Sequence, residues 1–334
     1  MVYEYNFQQK TLQFALSTVK FLNKGLNLFS MKDFLSITDL SKDEIEEIWA
    51  MAKHLKSNPY NDLLKGKNIL LLFEKPSTRT RVSFEVGINQ MGGSPLYMDA
   101  STSQLSRGES IEDTGHTLER YVDMIIARVY RHEDLIKLAM NFSKPVINAL
   151  SDLEHPAQIL ADYYTINEKL GKVESVRVAF IGDGQNNIAN SLILGAAILG
   201  AKIIVASPER YQPKQAIISL AEEIRKGTVE VVEDPVKAVS NADIIYTDVF
   251  TSMGQEKEKE ERLKAFLPKY QVNDELLSKA PKHSLFMHCL PAHYGEEVTK
   301  EVIYGPKSIV FDQAENRLHV QKALILKLFK INLK

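Results

Sequence analysis

A chain of 334 residues is more than one hydrophobic core ordinarily serves, so two domains are expected. Its 44% hydrophobic and 25% charged residues are those of a globular chain and exclude a disordered or fibrous one. A net charge of -2 gives no basic field for nucleic acid, the single cysteine excludes an intramolecular disulfide, and no apolar run approaches the roughly 20 residues a bilayer span needs.

Residues 1–30 carry scattered apolar side chains (Phe14, Leu16, Phe21, Leu26, Phe29) but no long apolar core and no small-residue cleavage site. They are poor in arginine and contain Glu4, so neither a secretory signal nor a transit peptide is read there. The stretch is expected to be a dispensable N-terminal extension ahead of Met31, on a chain working in the cytoplasm.

From Lys67 onward, short Val- and Ile-rich runs alternate with helical patterns, which implies parallel sheets covered by helices. The first strand is Asn68–Phe73. It leads into Glu74-Lys75-Pro76-Ser77-Thr78-Arg79-Thr80-Arg81 and then a helix with Phe84, Ile88 and Met91 at i, i+4, i+7. Ser77 is a good N-cap, and hydroxyls, free amides, helix dipole and guanidinium groups together favour an anion at that helix start. The competing reading is a capped helix with surface arginines. The second strand, Val122–Val129, places Arg128 at the end of an apolar run, where it either reaches an anion at the carboxyl edge of the sheet or snorkels to the surface. Pro145–Asn148 follows.

His155-Pro156-Ala157-Gln158 marks a helix start, with proline in the first turn and Ile159, Leu160 and Tyr163 on one face. His155 and Gln158, three residues apart, can both donate to a carbonyl or an amide; a histidine there can also be a plain cap. A helix at about 152–171 would link two α/β units.

The second unit opens with the strand Arg177–Ile181 and the turn Gly182-Asp183-Gly184-Gln185-Asn186-Asn187. This invites a dinucleotide reading, but Asn187 stands where a third glycine is needed, and the strand Lys202–Ala206 does not end in an acidic residue. The asparagines could instead hold a small polar ligand or cap the next helix. After the strands Val229–Val232 and Asp243–Thr247 comes Asp248, placed at a strand end to bind a substrate ammonium, with Ser252-Met253-Gly254 in a loop suited to movement. The charge-dense Gln255–Lys264 stretch reads as a solvated helix face.

Ser284–His288 is the next strand, and His288-Cys289-Leu290-Pro291 closes it. No Cys, His and Asp group has metal-ligand spacing, so no metal is inferred. A cysteine protease has no local signature here. A last strand at Ser308–Phe311 and a helix at about Gln313–Phe329, carrying Arg317, complete the chain.

In this order the motifs resemble the aspartate/ornithine carbamoyltransferase family over about Met31 to Leu328. Ser77-Thr78-Arg79-Thr80-Arg81 and His155-Pro156-Ala157-Gln158 are similar to its carbamoyl phosphate motifs, although members often carry cysteine at Ala157. Asp248 with Ser252-Met253-Gly254, and His288-Cys289-Leu290-Pro291, are similar to its ornithine branch, although some relatives have arginine at Tyr294. The resemblance implies two domains, each a parallel sheet flanked by helices, with the active site in the interdomain cleft. Residues 31–151, joined by the helix 313–330, would bind carbamoyl phosphate; 152–171 would link; 172–312 would bind ornithine. It implies that Ser77, Thr78, Arg79, Thr80 and Arg128 hold the phosphate. Arg128, His155 and Thr80 would polarise the carbonyl, Gln158 would bind the amide end, and Cys289, Leu290 and Arg317 would complete the pocket. Arg128, His155 and Cys289 would be the catalytic set, and Asn187, Asp248, Ser252 and Met253 would hold ornithine. It further implies a trimer in which Gln104, from the polar loop Ser101–Gly108, reaches a neighbour's phosphate, and a reaction without cofactor. A sister transferase acting on putrescine, aspartate or an acylated ornithine, a nicotinamide dehydrogenase, and a non-catalytic anion-binding regulator are the alternatives.

Overall fold

The computed structural model describes residues 32–252 and 254–333. The 1–30 extension, Met31 and Met253 lie outside the described residues. The chain forms two compact units, one made of the residues up to Leu160 with Arg317 onward, the other of Ala161–Asn316. Both divisions fall inside helices, Pro156–Leu170 and Val310–Leu328, so each helix contributes to both units.

The first unit is a four-stranded parallel sheet in the order β2-β1-β3-β4, with β1 Asn68–Phe73, β2 Ser94–Asp99, β3 Met124–Arg128 and β4 Val146–Leu150. β1 and β3 are buried along nearly their whole length, as their unbroken apolar sequences require. Leu70, Leu72, Ile125, Leu135, Phe142 and Val146 belong to one core cluster under one face. β2 is absent from the sequence expectations. None of its residues is fully buried, and it carries Pro95, which a sheet edge tolerates because one side of the strand needs no partner.

The second unit is a five-stranded parallel sheet in the order β7-β6-β5-β8-β9. Its strands are β5 Arg177–Ile181, β6 Lys202–Ala206, β7 Val229–Val232, β8 Ile244–Thr247 and β9 Leu285–Met287. The strand expected at Ser308–Phe311 is only a single bridge between Ser308 and Phe286. Val310 and Phe311 instead open the helix Val310–Leu328, and Val310 is buried in the sheet core. Propensity over four residues lost to tertiary packing of a nineteen-residue helix.

Each sheet therefore has one switch point, where the chain leaves a strand toward opposite sides. In the first it lies between β1 and β3; in the second, between β5 and β8. The crevice at the carboxyl ends of such strands is where open α/β sheets bind ligands. No helix of the described residues is long and apolar enough to cross a membrane.

Candidate active site

At the first switch point the chain runs from β1 through Glu74–Ser77 into the helix Thr78–Gln90. Ser77 is its N-cap: the backbone N–H of Thr80 donates to the Ser77 hydroxyl at 3.4 Å. Thr78, Arg79 and Thr80 thus form the first turn, whose remaining amides and dipole favour an anion. Glu74 ties this segment to the neighbouring strand end: its N–H donates to the Arg128 carbonyl, and its carboxylate accepts from the N–H of Tyr130. Arg79 is half-buried, while Arg81 turns away to pair with Glu85 and to lie over the Tyr97 ring.

Arg128 closes β3 and is buried, not snorkelled. Arg317, buried on the helix Val310–Leu328, donates to the Thr80 hydroxyl at 2.7 Å. His155 and Gln158 are both buried at the start of the helix Pro156–Leu170. The sequence separation among these groups is large, yet the fold gathers Thr80, Arg128, His155 and Arg317. Burial pushes the His155 imidazole well below its ordinary range, and the Arg317 and Arg128 guanidinium charges push it further. His155 is therefore a neutral hydrogen-bonding group beside fixed positive charge. Gln104 is exposed on the 3-10 turn Gln104–Arg107 after β2, and the structure does not bring it to this cluster.

A second buried histidine lies in the same unit. Burial lowers the His132 pKa to about 4, and its Nδ1 lies 2.8 Å from the Ser151 hydroxyl. In the unfolded chain both histidines would take up a proton near pH 6.5. Their contribution to stability is thus complete above that pH and is lost as pH falls below it. For His132 the loss amounts to about 3 kcal/mol by the time the pH reaches its folded value. Asp33 works the other way, since burial raises its folded pKa to about 6 and acid relieves that cost. The comparison that isolates the histidine is His132→Gln against the parent. Between pH 7 and 4 the variant's urea midpoint should fall less steeply, and parallel slopes would show that His132 is not buried as a neutral ring.

At the second switch point β5 ends in Gly182–Asn186 and β8 ends in Asp248. Gly182 has φ +134, and a side chain at Gly184 would meet the Pro213 ring at 2.6 Å, so both glycines serve the turn and its packing. Asn186, not Asn187, is the N-cap of the helix Asn187–Leu199. Its Oδ1 accepts from the Ala189 N–H at 2.7 Å, which leaves Nδ2 to donate to Asp248 Oδ2 at 3.1 Å. Asn187, half-buried, occupies the first helical position. Asn186 is a site residue that the sequence analysis did not single out. An N-cap asparagine can accept inward and donate outward, which an aspartate cannot, and that is the signal that could have found it.

Asp248 is buried, and burial raises its carboxyl pKa, while His288 and a hydrogen bond from Cys289 oppose the rise. Cys289 Sγ donates to Asp248 Oδ1 at 3.1 Å. Ser252, half-buried, sits in a turn closed by Gln255, whose Oε1 accepts from the Ser252 N–H at 3.0 Å.

Leu290 adopts φ +57, a left-handed conformation unfavourable for a branched side chain. It is held there by its own N–H, which donates to His288 Nδ1 at 2.8 Å. That bond makes Nδ1 an acceptor, so the ring proton is on Nε2 and faces Glu297 Oε1 at 3.2 Å. His288 and Glu297 are fully buried and orient the Cys289-Leu290 backbone; neither role was read from sequence.

The Gln255–Lys264 stretch is exposed at 256–261 and at Lys264, but Gln255 and Leu263 are half-buried and Arg262 is buried. This guanidinium is buried, pairs with Asp183, donates to the Phe250 carbonyl and lies 4.8 Å from the Tyr211 ring centroid. The motif after β5 is therefore braced by a charge pair from a distant helix.

Two family models match the chain. Residues 32–168 match the aspartate/ornithine carbamoyltransferase carbamoyl-P binding domain, and 174–328 match the Asp/Orn binding domain of the same family. The chain is 52% identical over 302 residues to an anabolic ornithine carbamoyltransferase of Pyrococcus furiosus, covering 88% of this chain and 95% of the relative. It is 49% identical over 304 residues to a catabolic ornithine carbamoyltransferase of Thermoplasma acidophilum, covering 90% of this chain and 99% of that one. The solved structure of ornithine carbamoyltransferase from Pyrococcus furiosus superposes with a TM-score of 0.85 at 51% identity, covering 89% of this chain and 96% of that chain.

Proposed function

The chain belongs to the aspartate/ornithine carbamoyltransferase family, and from that premise we infer its reaction and the residues that carry it. It is a carbamoyltransferase that moves the carbamoyl group of carbamoyl phosphate to the δ-amine of L-ornithine, giving L-citrulline and phosphate.

The assignment of residues rests on one observation. One switch point gathers guanidinium groups around a capped helix start and a neutral histidine, and the other presents a buried carboxylate. In our reading Ser77, Thr78, Arg79 and Thr80 hold the phosphate, and Arg128 spans phosphate and carbonyl oxygen. His155, kept neutral, donates to that carbonyl with Thr80, and Gln158 takes the amide end. Arg317 positions Thr80 through its hydrogen bond, and Cys289 and Leu290 are assigned to the carbamoyl group. Asp248 takes the α-ammonium of ornithine, Asn187 its carboxylate side, and Ser252 and Met253 close over it.

The neutral δ-amine attacks the carbonyl carbon, and charge collects on the oxygen. The C–N bond forms as the C–O bond to phosphate breaks, and the departing phosphate accepts the proton that the amine loses. Donors aimed at the developing oxyanion contribute roughly 2.7–4 kcal/mol each in comparable sites. Holding both reactants in register supplies much of the rest. In our reading the protein works in the cytoplasm as a trimer, in which Gln104 serves the phosphate of a neighbouring subunit.

The test is a carbamoyl phosphate assay run separately with ornithine, putrescine, aspartate and an acylated ornithine. Ornithine should give citrulline and phosphate. Putrescine lacks the α-carboxylate and should be far poorer. A better rate with any of the other three would overturn the acceptor assignment.

A further inference from the structure

We propose that His293 Nδ1, Glu296 Oε2 and Glu297 Oε2 form a binding site for one divalent transition-metal ion, and that its occupancy stiffens the Cys289-Leu290 backbone. The donor atoms of these three residues lie within 4.8 Å of one another. His293 Nδ1 is 3.9 Å from each carboxylate oxygen, too far for a hydrogen bond. A metal about 2.1 Å from each donor in a tetrahedral set would need them roughly 3.4 Å apart. The two histidine–carboxylate distances need to close by about half an ångström, and the two carboxylates, within 4.8 Å of each other, by no more than about 1.4 Å.

The burial of Glu297 points to a ligand. Its side chain is fully enclosed, and Oε1 is used by the His288 ring and by the His293 N–H at 2.6 Å. Oε2 has no hydrogen-bond partner and is aimed at the His293 ring. Among the described residues no lysine or arginine pairs with this carboxylate. An enclosed carboxylate oxygen without a donor is costly, and a cation removes the cost. Glu296 repeats the arrangement: Lys259 binds its Oε1 at 2.7 Å, and its Oε2, also enclosed, has no hydrogen-bond partner. His293 is exposed, so an ion can enter from solvent. One imidazole and two carboxylates suit zinc, cobalt or manganese rather than a soft thiolate-seeking ion.

The link to the site runs through one carboxylate. Glu297 would bind the ion through Oε2 and keep the His288 Nε2–H on Oε1, while His288 Nδ1 accepts from the Leu290 N–H. Outer hydrogen bonds of this kind orient histidine rings at metal centres. Here the oriented ring holds Leu290 in its left-handed conformation.

Co2+ titration of the full chain, followed by visible absorption, is the test. A second cluster, Asp248, His288 and Cys289, also brings three donors together, so the titration is run in Cys289→Ser to remove its thiol. We expect one ion per chain, binding weakened at least tenfold by His293→Asn and by Glu296→Gln, and slower hydrogen exchange of the Leu290 N–H when Co2+ is bound. Glu296→Gln changes a partly exposed side chain, so loss of folding is not expected to mask the result. No binding in Cys289→Ser, or binding indifferent to both variants, would overturn the site. Binding without slower exchange at Leu290 would overturn the coupling.

Discussion

Arg79→Ala should lower kcat/KM for carbamoyl phosphate by about 10²–10³-fold while leaving the urea midpoint within error of the parent. Arg79 is half-buried in the first turn of the helix Thr78–Gln90, where its loss removes a charge from the crevice without opening the sheet core. Arg81, held by Glu85 and Tyr97, is not free to replace it. Charge-assisted hydrogen bonds are worth about 1.5–3 kcal/mol each, and a guanidinium on phosphate makes two. The fall should appear in both KM and kcat, since charge on the leaving phosphate grows as the C–O bond breaks. Subunit sharing is tested with the same variant. Mixed trimers of Arg79→Ala and Gln104→Ala chains should regain activity in those sites that draw both intact residues from different subunits. Normal saturation by carbamoyl phosphate in folded Arg79→Ala would remove the residue from the site. Mixed trimers no better than the parent variants would remove Gln104.

How much of this could be read from the residues depended on how local each signal was. β1 and β3 were legible because strands buried on both faces need unbroken apolar runs. β2 was not, because an edge strand needs neither that run nor a full set of donors, and Pro95 reads as a break. The helix start at Ser77 was legible because an N-cap is a property of four consecutive residues. What no local pattern conveys is a bond between Arg317 and Thr80, or one between Arg262 and Asp183, since each pair is joined only by the fold. The family resemblance supplied Arg317 as a site residue; nothing supplied Arg262, which was taken for part of a solvated face.

The second half-site divides the same way. Asp248 could be placed because a carboxylate just past a buried strand needs a reason. Which of the two asparagines touches it depended on a one-residue difference in helix start, within the ordinary uncertainty of helix ends. Glu297 follows His288 by nine positions and no local pattern singles it out; the His288 tautomer and the left-handed Leu290 are visible only in three dimensions.

Asp248→Asn should reduce kcat/KM for ornithine by at least 10²-fold and leave carbamoyl phosphate binding nearly unchanged. The substitution keeps the shape and removes the charge. In the parent the carboxylate accepts from Asn186 Nδ2 at 3.1 Å and from Cys289 Sγ at 3.1 Å, both neutral donors. They offset the cost of a buried negative charge only in part, so burial still raises the Asp248 pKa. An incoming ammonium supplies the missing countercharge and pulls that pKa back down, so binding ornithine and ionising Asp248 are linked. From this follows a pH signature: acid should weaken ornithine binding in the parent as Asp248 takes up a proton, and the asparagine variant should lose that acid limb. Its affinity for ornithine should be low and nearly flat with pH on the acid side, whereas a purely steric role would lower affinity and keep the limb. The same variant should also lose affinity for putrescine, which lacks the α-carboxylate but keeps the amine that Asp248 recognises. Isothermal titration of each acceptor in the presence of a carbamoyl phosphate analogue reads all three effects. Parental ornithine affinity in Asp248→Asn, or an acid limb that survives the substitution, would place the acceptor's ammonium elsewhere.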